Sequence, residues 1–232
     1  MNQNPAVSIS LGIFLIVLLN IPLTAISAET TANCHCFRNR TFNPADKFIA
    51  DDYILSTTFN SLLASEFNVS KRDIIMMKMR DGVGNTDLMA AFYISQQTGS
   101  DVKQLLQMRK KLSWQEIVRP LLEGSQPSKM KDSLSFIQSS KSDAQIVEHI
   151  TQLLIISRFS SSPAVLKELK KQNLTEKQIV LAHTLGNHAG IPVEKIVDQY
   201  LNQGQSWSEI AHNLGLQPTD TGKLLENESP AK

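Results

Sequence analysis

Leu112-Ser-Trp-Gln-Glu-Ile-Val118 and Gln205-Ser-Trp-Ser-Glu-Ile-Ala211 are two versions of one phrase, and their reading decides the fold class. In each, a serine stands just ahead of an apolar run and a glutamate follows three residues later. This is the capping-box arrangement, in which the serine oxygen and the glutamate carboxylate satisfy N–H groups left free at a helix start. Ser113 and Ser206 are therefore expected as N-caps. Working outward, Thr98-Gly-Ser-Asp-Val102-Lys-Gln-Leu-Leu106 precedes the first copy, and Ala189-Gly-Ile-Pro-Val193-Glu-Lys-Ile-Val197 precedes the second. Gly99 and Gly190 are 91 residues apart and Trp114 and Trp207 are 93 apart, so two extra residues fall in a turn around 202–204.

Fainter copies begin near Val69, Leu134 and Val165, which with Val102 and Val193 gives steps of 33, 32, 31 and 28 residues. That period predicts degenerate helical-hairpin repeats of about 30 residues, each burying its apolar face only when neighbours stack on it. Leu88, Ala91 and Phe92 form one apolar stripe. Ile146, Val147, Ile150, Leu153 and Leu154 form another, and Val193, Ile196, Val197, Tyr200 and Leu201 a third, all at helical spacing. Thr175 is a further candidate N-cap, with Glu176 at the wrong offset for a capping box. Aromatic residues at 6% and only 10 glycines speak against a β-sandwich or barrel, and the expected class is all-α.

Gly, Pro and Ser cluster at 81–84, 123–128 and 159–163. The middle cluster separates an expected helical lobe at 50–122 from a second at 130–217. Residues 29–49 read as a mobile N-terminal arm, and 218–232 as a tail with too little apolar surface to stay ordered.

Residues 11–19, Leu-Gly-Ile-Phe-Leu-Ile-Val-Leu-Leu, form an apolar run that Asn20 and Pro22 end and the small residues of 24–28 follow. This order is that of a secretory signal peptide occupying residues 1–28, with the mature chain beginning near Glu29. The run is shorter than the ~20 residues needed to cross a bilayer. Residues 1–28 contain no Lys or Arg, which leaves an uncleaved membrane anchor as the alternative. A periplasmic or secreted location follows from the first reading. The formal net charge is +1, from 23 Lys+Arg and 22 Asp+Glu, and lacks the basic excess that draws chains onto nucleic acid.

Cys34-His35-Cys36 holds the only two cysteines, just after the expected cleavage site. Two thiolates and an imidazole suit Zn(II) or Cu(I), and the three residues are the candidate metal ligands. In an oxidising compartment the same segment reads as a disulfide, a bridge to another chain or a free dithiol, and no second Cys/His cluster supplies a full zinc shell. Met76, Met77, Met79 and Met89 read as core fillers rather than soft copper ligands. His183 and His188 are five apart, which does not place them on one helical face, and read as structural. Asn39-Arg-Thr41, Asn68-Val-Ser70 and Asn173-Leu-Thr175 fit the glycosylation triplet. No nucleophile elbow or phosphate-cradling glycine loop is present, and no catalytic residue is proposed. Residues 207–225 also fit a helix-turn-helix, with Gly215 at the turn, but its second helix offers one base, Lys223, to anchor on phosphate.

The two Ser-Trp-x-Glu-Ile units together with Cys34-His35-Cys36 resemble segments of exported bacterial helical proteins that carry a Cys-x-Cys near the mature N-terminus and have no assigned activity. The resemblance covers about the last third of each lobe and implies export and helix. The expected function is that of an exported, non-enzymatic helical protein binding another protein or an envelope component. A thiol or metal protein acting through Cys34, His35 and Cys36 is the alternative, and a helix-turn-helix regulator a second.

Overall fold

The structure is a computed structural model that describes residues 37–123 and 128–227, and among these it is all-α, without a strand. Twelve helices follow one another: α1 Asp51–Glu66, α2 Lys71–Arg80, α3 Asn85–Thr98, α4 Val102–Arg109, α5 Trp114–Leu122, α6 Ser128–Ser139, α7 Asp143–Phe159, α8 Pro163–Lys171, α9 Glu176–Ala189, α10 Val193–Leu201, α11 Trp207–Asn213 and α12 Thr221–Asn227. The expected signal peptide, Cys34, His35 and Cys36, and most of the 123–128 boundary lie outside the described residues.

Short polar side chains start these helices. Ser70, Asp101, Ser113, Ser142, Ser162, Thr175 and Ser206 each accept the N–H three residues on. Complete capping boxes stand at Ser113–Glu116 and Ser206–Glu209, as the sequence predicts. A third joins Thr175 to Gln178, where the sequence reading weighed only Glu176. Residues in the left-handed region stand two ahead of several of these caps. Asn68 (φ 51°) precedes Ser70 and Asn173 (φ 59°) precedes Thr175, so two of the Asn-x-Ser/Thr triplets mark tight helix–helix turns. Asparagine tolerates this conformation because its short amide bonds locally.

Alternate helices step by roughly 30 residues: α2, α4, α8 and α10 start at 71, 102, 163 and 193, beside the expected 69, 102, 165 and 193, while Leu134 falls inside α6. A closer recurrence runs at 91–93. The starts of α1 to α6 at 51, 71, 85, 102, 114 and 128 are matched by those of α7 to α12 at 143, 163, 176, 193, 207 and 221. Left-handed residues match as well, Gly99 with Gly190 and Gly82 with Asn173. Side-chain pairs repeat across the two units. Phe92 stacks on Phe67 with centroids 5.5 Å apart, and at the equivalent positions His183 stacks on Phe159 at 5.1 Å. Arg109 lies over the Trp114 ring, and Tyr200 stacks on Trp207.

The units cross over. α1 packs on α9, and its counterpart α7 packs on α3. Glu66 and Arg158, which are equivalent to one another, pair at 3.4 Å, as equivalent positions do beside a two-fold axis. The core is one contiguous apolar cluster drawn from both units, with Trp114 at 0% and Trp207 at 1% exposure at equivalent places in the two units.

Three expectations are corrected. Residues 37–49, read as a free arm, carry Phe42 stacked on His212 at 4.8 Å and Lys47, whose carbonyl accepts from Ser208 Oγ at 2.9 Å. Residues 218–227, read as a fraying tail, contain α12, which packs along α1 with Thr221 and Leu225 buried. It is held by polar contacts: Thr58 and Thr221 hydroxyls at 2.7 Å, and Ser61 to Glu226 at 3.1 Å. Leu153 and Leu201, placed in apolar stripes, are exposed.

Candidate functional site

A cleft of about 1040 Å³ lies between α2, α3 and α4. A smaller one of about 430 Å³ continues it along α2 and α4, sharing Met77, Arg80 and Lys103. The tight turn Asn68–Ser70 and the Gly99–Asp101 turn form its ends, because each reverses the chain within two residues of a cap and so holds α2 and α4 close beside α3. The floor is apolar, formed by Val69, Met77, Phe92, Val102 and Leu106, with the Phe67–Phe92 ring pair behind it.

Along the rim, each carboxylate is already engaged. Asp101 accepts from Gln104 N at 2.9 Å as the cap of α4, and Asp73 accepts from Ser70 Oγ at 2.6 Å. Asp81 takes both a 2.7 Å and a 3.0 Å bond from Arg80, and that guanidinium holds its carboxyl below the usual range. Arg72, Lys103 and Lys110 have no ion-pair partner among the described residues. The cleft thus presents thioether and aliphatic surface below free cations.

Met76 and Met79 are the departure from the sequence reading. Met89 is buried and its Sδ accepts from Thr151 Oγ1 at 3.1 Å, as a core filler, but Met76 is 41% and Met79 47% exposed on α2. Helical spacing alone did not show this, since it gives which residues share a face and not which face is covered.

The second unit carries the same turns without this chemistry. In place of Arg72, Met76 and Arg80 stand Ala164, Glu168 and Gln172, and in place of Phe92 and Lys103 stand His183 and Glu194. His183 is 5% exposed and its Nε2 meets no partner; burial pushes it down to about 4, and nearby Glu194 opposes the shift. It is structural, and His188 is exposed on the same helix.

Lys78 is a buried amine that sequence reading missed. Its Nζ donates to Asn60 Oδ1 at 2.9 Å, and burial, with Lys177 adding to it, lowers it to about 8. At 4% exposure it is closed to solvent, and its counterpart Lys170 pairs openly with Glu148 at 2.7 Å. The segment that fits a helix-turn-helix forms α11 and α12, with Gly215 at φ 77° between them. Its second helix lies against α1, where a Cβ at Gly222 would come within 2.5 Å of Ser61 Oγ. That helix is turned inward rather than towards a groove of DNA.

Among the described residues no helix is long and apolar enough to cross a membrane, and no three His, Cys, Asp or Glu side chains stand together as a metal cage. Comparison of this chain with protein-family models, with curated proteins and with solved structures finds no match.

Proposed function

We propose that this is an exported, non-enzymatic binding protein whose α2–α4 cleft receives an amphipathic, acidic segment of another protein in the cell envelope. The observation that carries the reading is exposed Met76 in a cleft that Arg72 and Lys103 also line, with Lys110 in its continuation. Exposed apolar surface rimmed by charge marks interaction sites, and flexible thioethers adapt to a partner. The internal comparison sharpens it. Two units share helices, turns and ring pairs, so what the architecture requires is present in both, while the methionine and cation set is present in one. Export rests on the apolar run of 11–19 and the small residues to Ala28.

The test combines compartment and surface. Full-length protein and an Arg72→Glu, Lys103→Glu, Lys110→Glu variant are expressed in the native host, and each is isolated from the envelope after reversible crosslinking. A mature N-terminus near residue 29 and a partner recovered at least tenfold less with the variant are expected. Equal recovery with both removes the cleft from the function, and retention of Met1 in a membrane fraction removes the cleaved-export reading.

A further inference from the structure

The internal equivalence draws attention to a second surface, on the opposite unit from the cleft. In the first unit, the face formed by α1 and the start of α2 is covered by α12. Gly222 sits on it so closely that a Cβ there would stand 2.5 Å from Ser61 Oγ and 3.0 Å from Lys71 Nζ. Glu226 follows on the same helix, reaching Ser61 at 3.1 Å and Lys71 at 3.9 Å. The face is thus a seat for a short helix that brings a carboxylate to a lysine.

The equivalents of Ser61 and Lys71 are Leu153 and Pro163, on α7 and α8. There the seat is open. Leu153 is 37% exposed, and its neighbour Gln152 lines a groove of about 510 Å³ between α7 and α8. Ile156, Pro163 and Leu166 give it an apolar side, Glu148 and Gln152 line it along α7, and Lys167, Lys170 and Lys171 line it along α8. The helix that could have filled it is α6, the counterpart of α12. Instead α6 packs on α3 and α5, and touches α7 through Phe136 against His149 at 4.1 Å.

We propose that the α7–α8 groove seats an acidic amphipathic helix of another protein, in the way that α1 and α2 seat α12. The replacement of Ser61 by Leu153 exchanges a polar contact for an apolar one, so the incoming helix presents an apolar ridge. The lysines ask for carboxylates, as Lys71 takes Glu226. Lys170 and Lys171 are paired with Glu148 and Glu168 at the surface, pairs that an incoming carboxylate can replace, and Lys167 has no ion-pair partner among the described residues. This surface is independent of the α2–α4 cleft, because none of its residues lines that cleft.

The experiment places a photo-crosslinking amino acid at Leu153 of the full chain in its native host, with a second chain labelled at exposed Leu201 on α10 as control. The adducts are sequenced. Expected is one partner captured from position 153 and not from 201, through a peptide of helical apolar period carrying Asp or Glu. Its yield should fall at least tenfold when Lys167→Glu, Lys170→Glu and Lys171→Glu are combined, and hold when the cleft cations are reversed instead. An unchanged helical circular-dichroism melt shows that the triple variant is folded. Capture of α6 of the same chain, of a second copy, of lipid, or of nothing overturns the proposal, as does a yield indifferent to the lysine reversals.

Discussion

Replacing His183 by phenylalanine should flatten the acid side of the stability curve, and the size of the effect can be worked from the structure. His183 is 5% exposed, stacks on Phe159, and leaves Nε2 without a partner. Burial lowers it from 6.5 to about 4, against the weaker pull of Glu194. Because the folded value is depressed, the unfolded chain takes up a proton first as pH falls below about 6.5, and the native state follows only near 4. The stability held by neutral His183 is therefore complete above pH 6.5 and is lost as pH falls towards 4. At 1.36 kcal/mol per pH unit the loss is about 3 kcal/mol. Phenylalanine is the right replacement, since Phe92 fills the equivalent place against Phe67. Urea unfolding of both proteins at pH 7 and pH 4 measures it. The variant should equal or exceed the wild type at pH 7 and exceed it by about 3 kcal/mol more at pH 4. Parallel losses in both proteins would refute the reasoning and assign the acid sensitivity to the carboxylates.

Three further outcomes follow from packing and from the N-terminal segment. Trp114→Ala and Trp207→Ala should each cost about 3–5 kcal/mol in denaturant unfolding, since both indoles are buried; unchanged midpoints would contradict that burial. Gly186→Ala should destabilise by about 1–3 kcal/mol, although alanine favours helix, because its Cβ would stand 2.9 Å from the Ile191 carbonyl oxygen; a raised melting temperature would show that the α9–α10 turn gives way. Cys34→Ser with Cys36→Ser should leave the melting temperature nearly unchanged, as the segment precedes α1 and closes no long loop. Copper or zinc near one per chain in protein isolated without chelator, and absent from that double variant, would instead make Cys34, His35 and Cys36 the functional centre.

The helical class was legible because its signals are local. A cap such as Ser113 or Ser206 needs only a glutamate three residues on, and an apolar stripe needs only its own period. The same local rule holds at the Thr175–Gln178 box, where glutamine takes the place of glutamate. The glycine and tryptophan anchors 91 and 93 residues apart were visible too, and they carry the internal equivalence that all twelve helices follow.

What the sequence by itself determined, then, is the helical class, several of the helix starts, and that two stretches share one plan. Only the tertiary structure decided which faces are covered. α1 shows why: Ser56, Thr57, Thr58, Asn60 and Ser61 are polar, yet all are buried, with Thr58 and Ser61 bonded to α12 from the far end of the chain. Conversely Met76, Met79 and Leu153 read as core and face solvent. Periodicity fixes the side of a helix on which a residue lies, but burial depends on a partner more than a hundred residues away. That partner's position is set by the packing of the whole, and no local spacing encodes it.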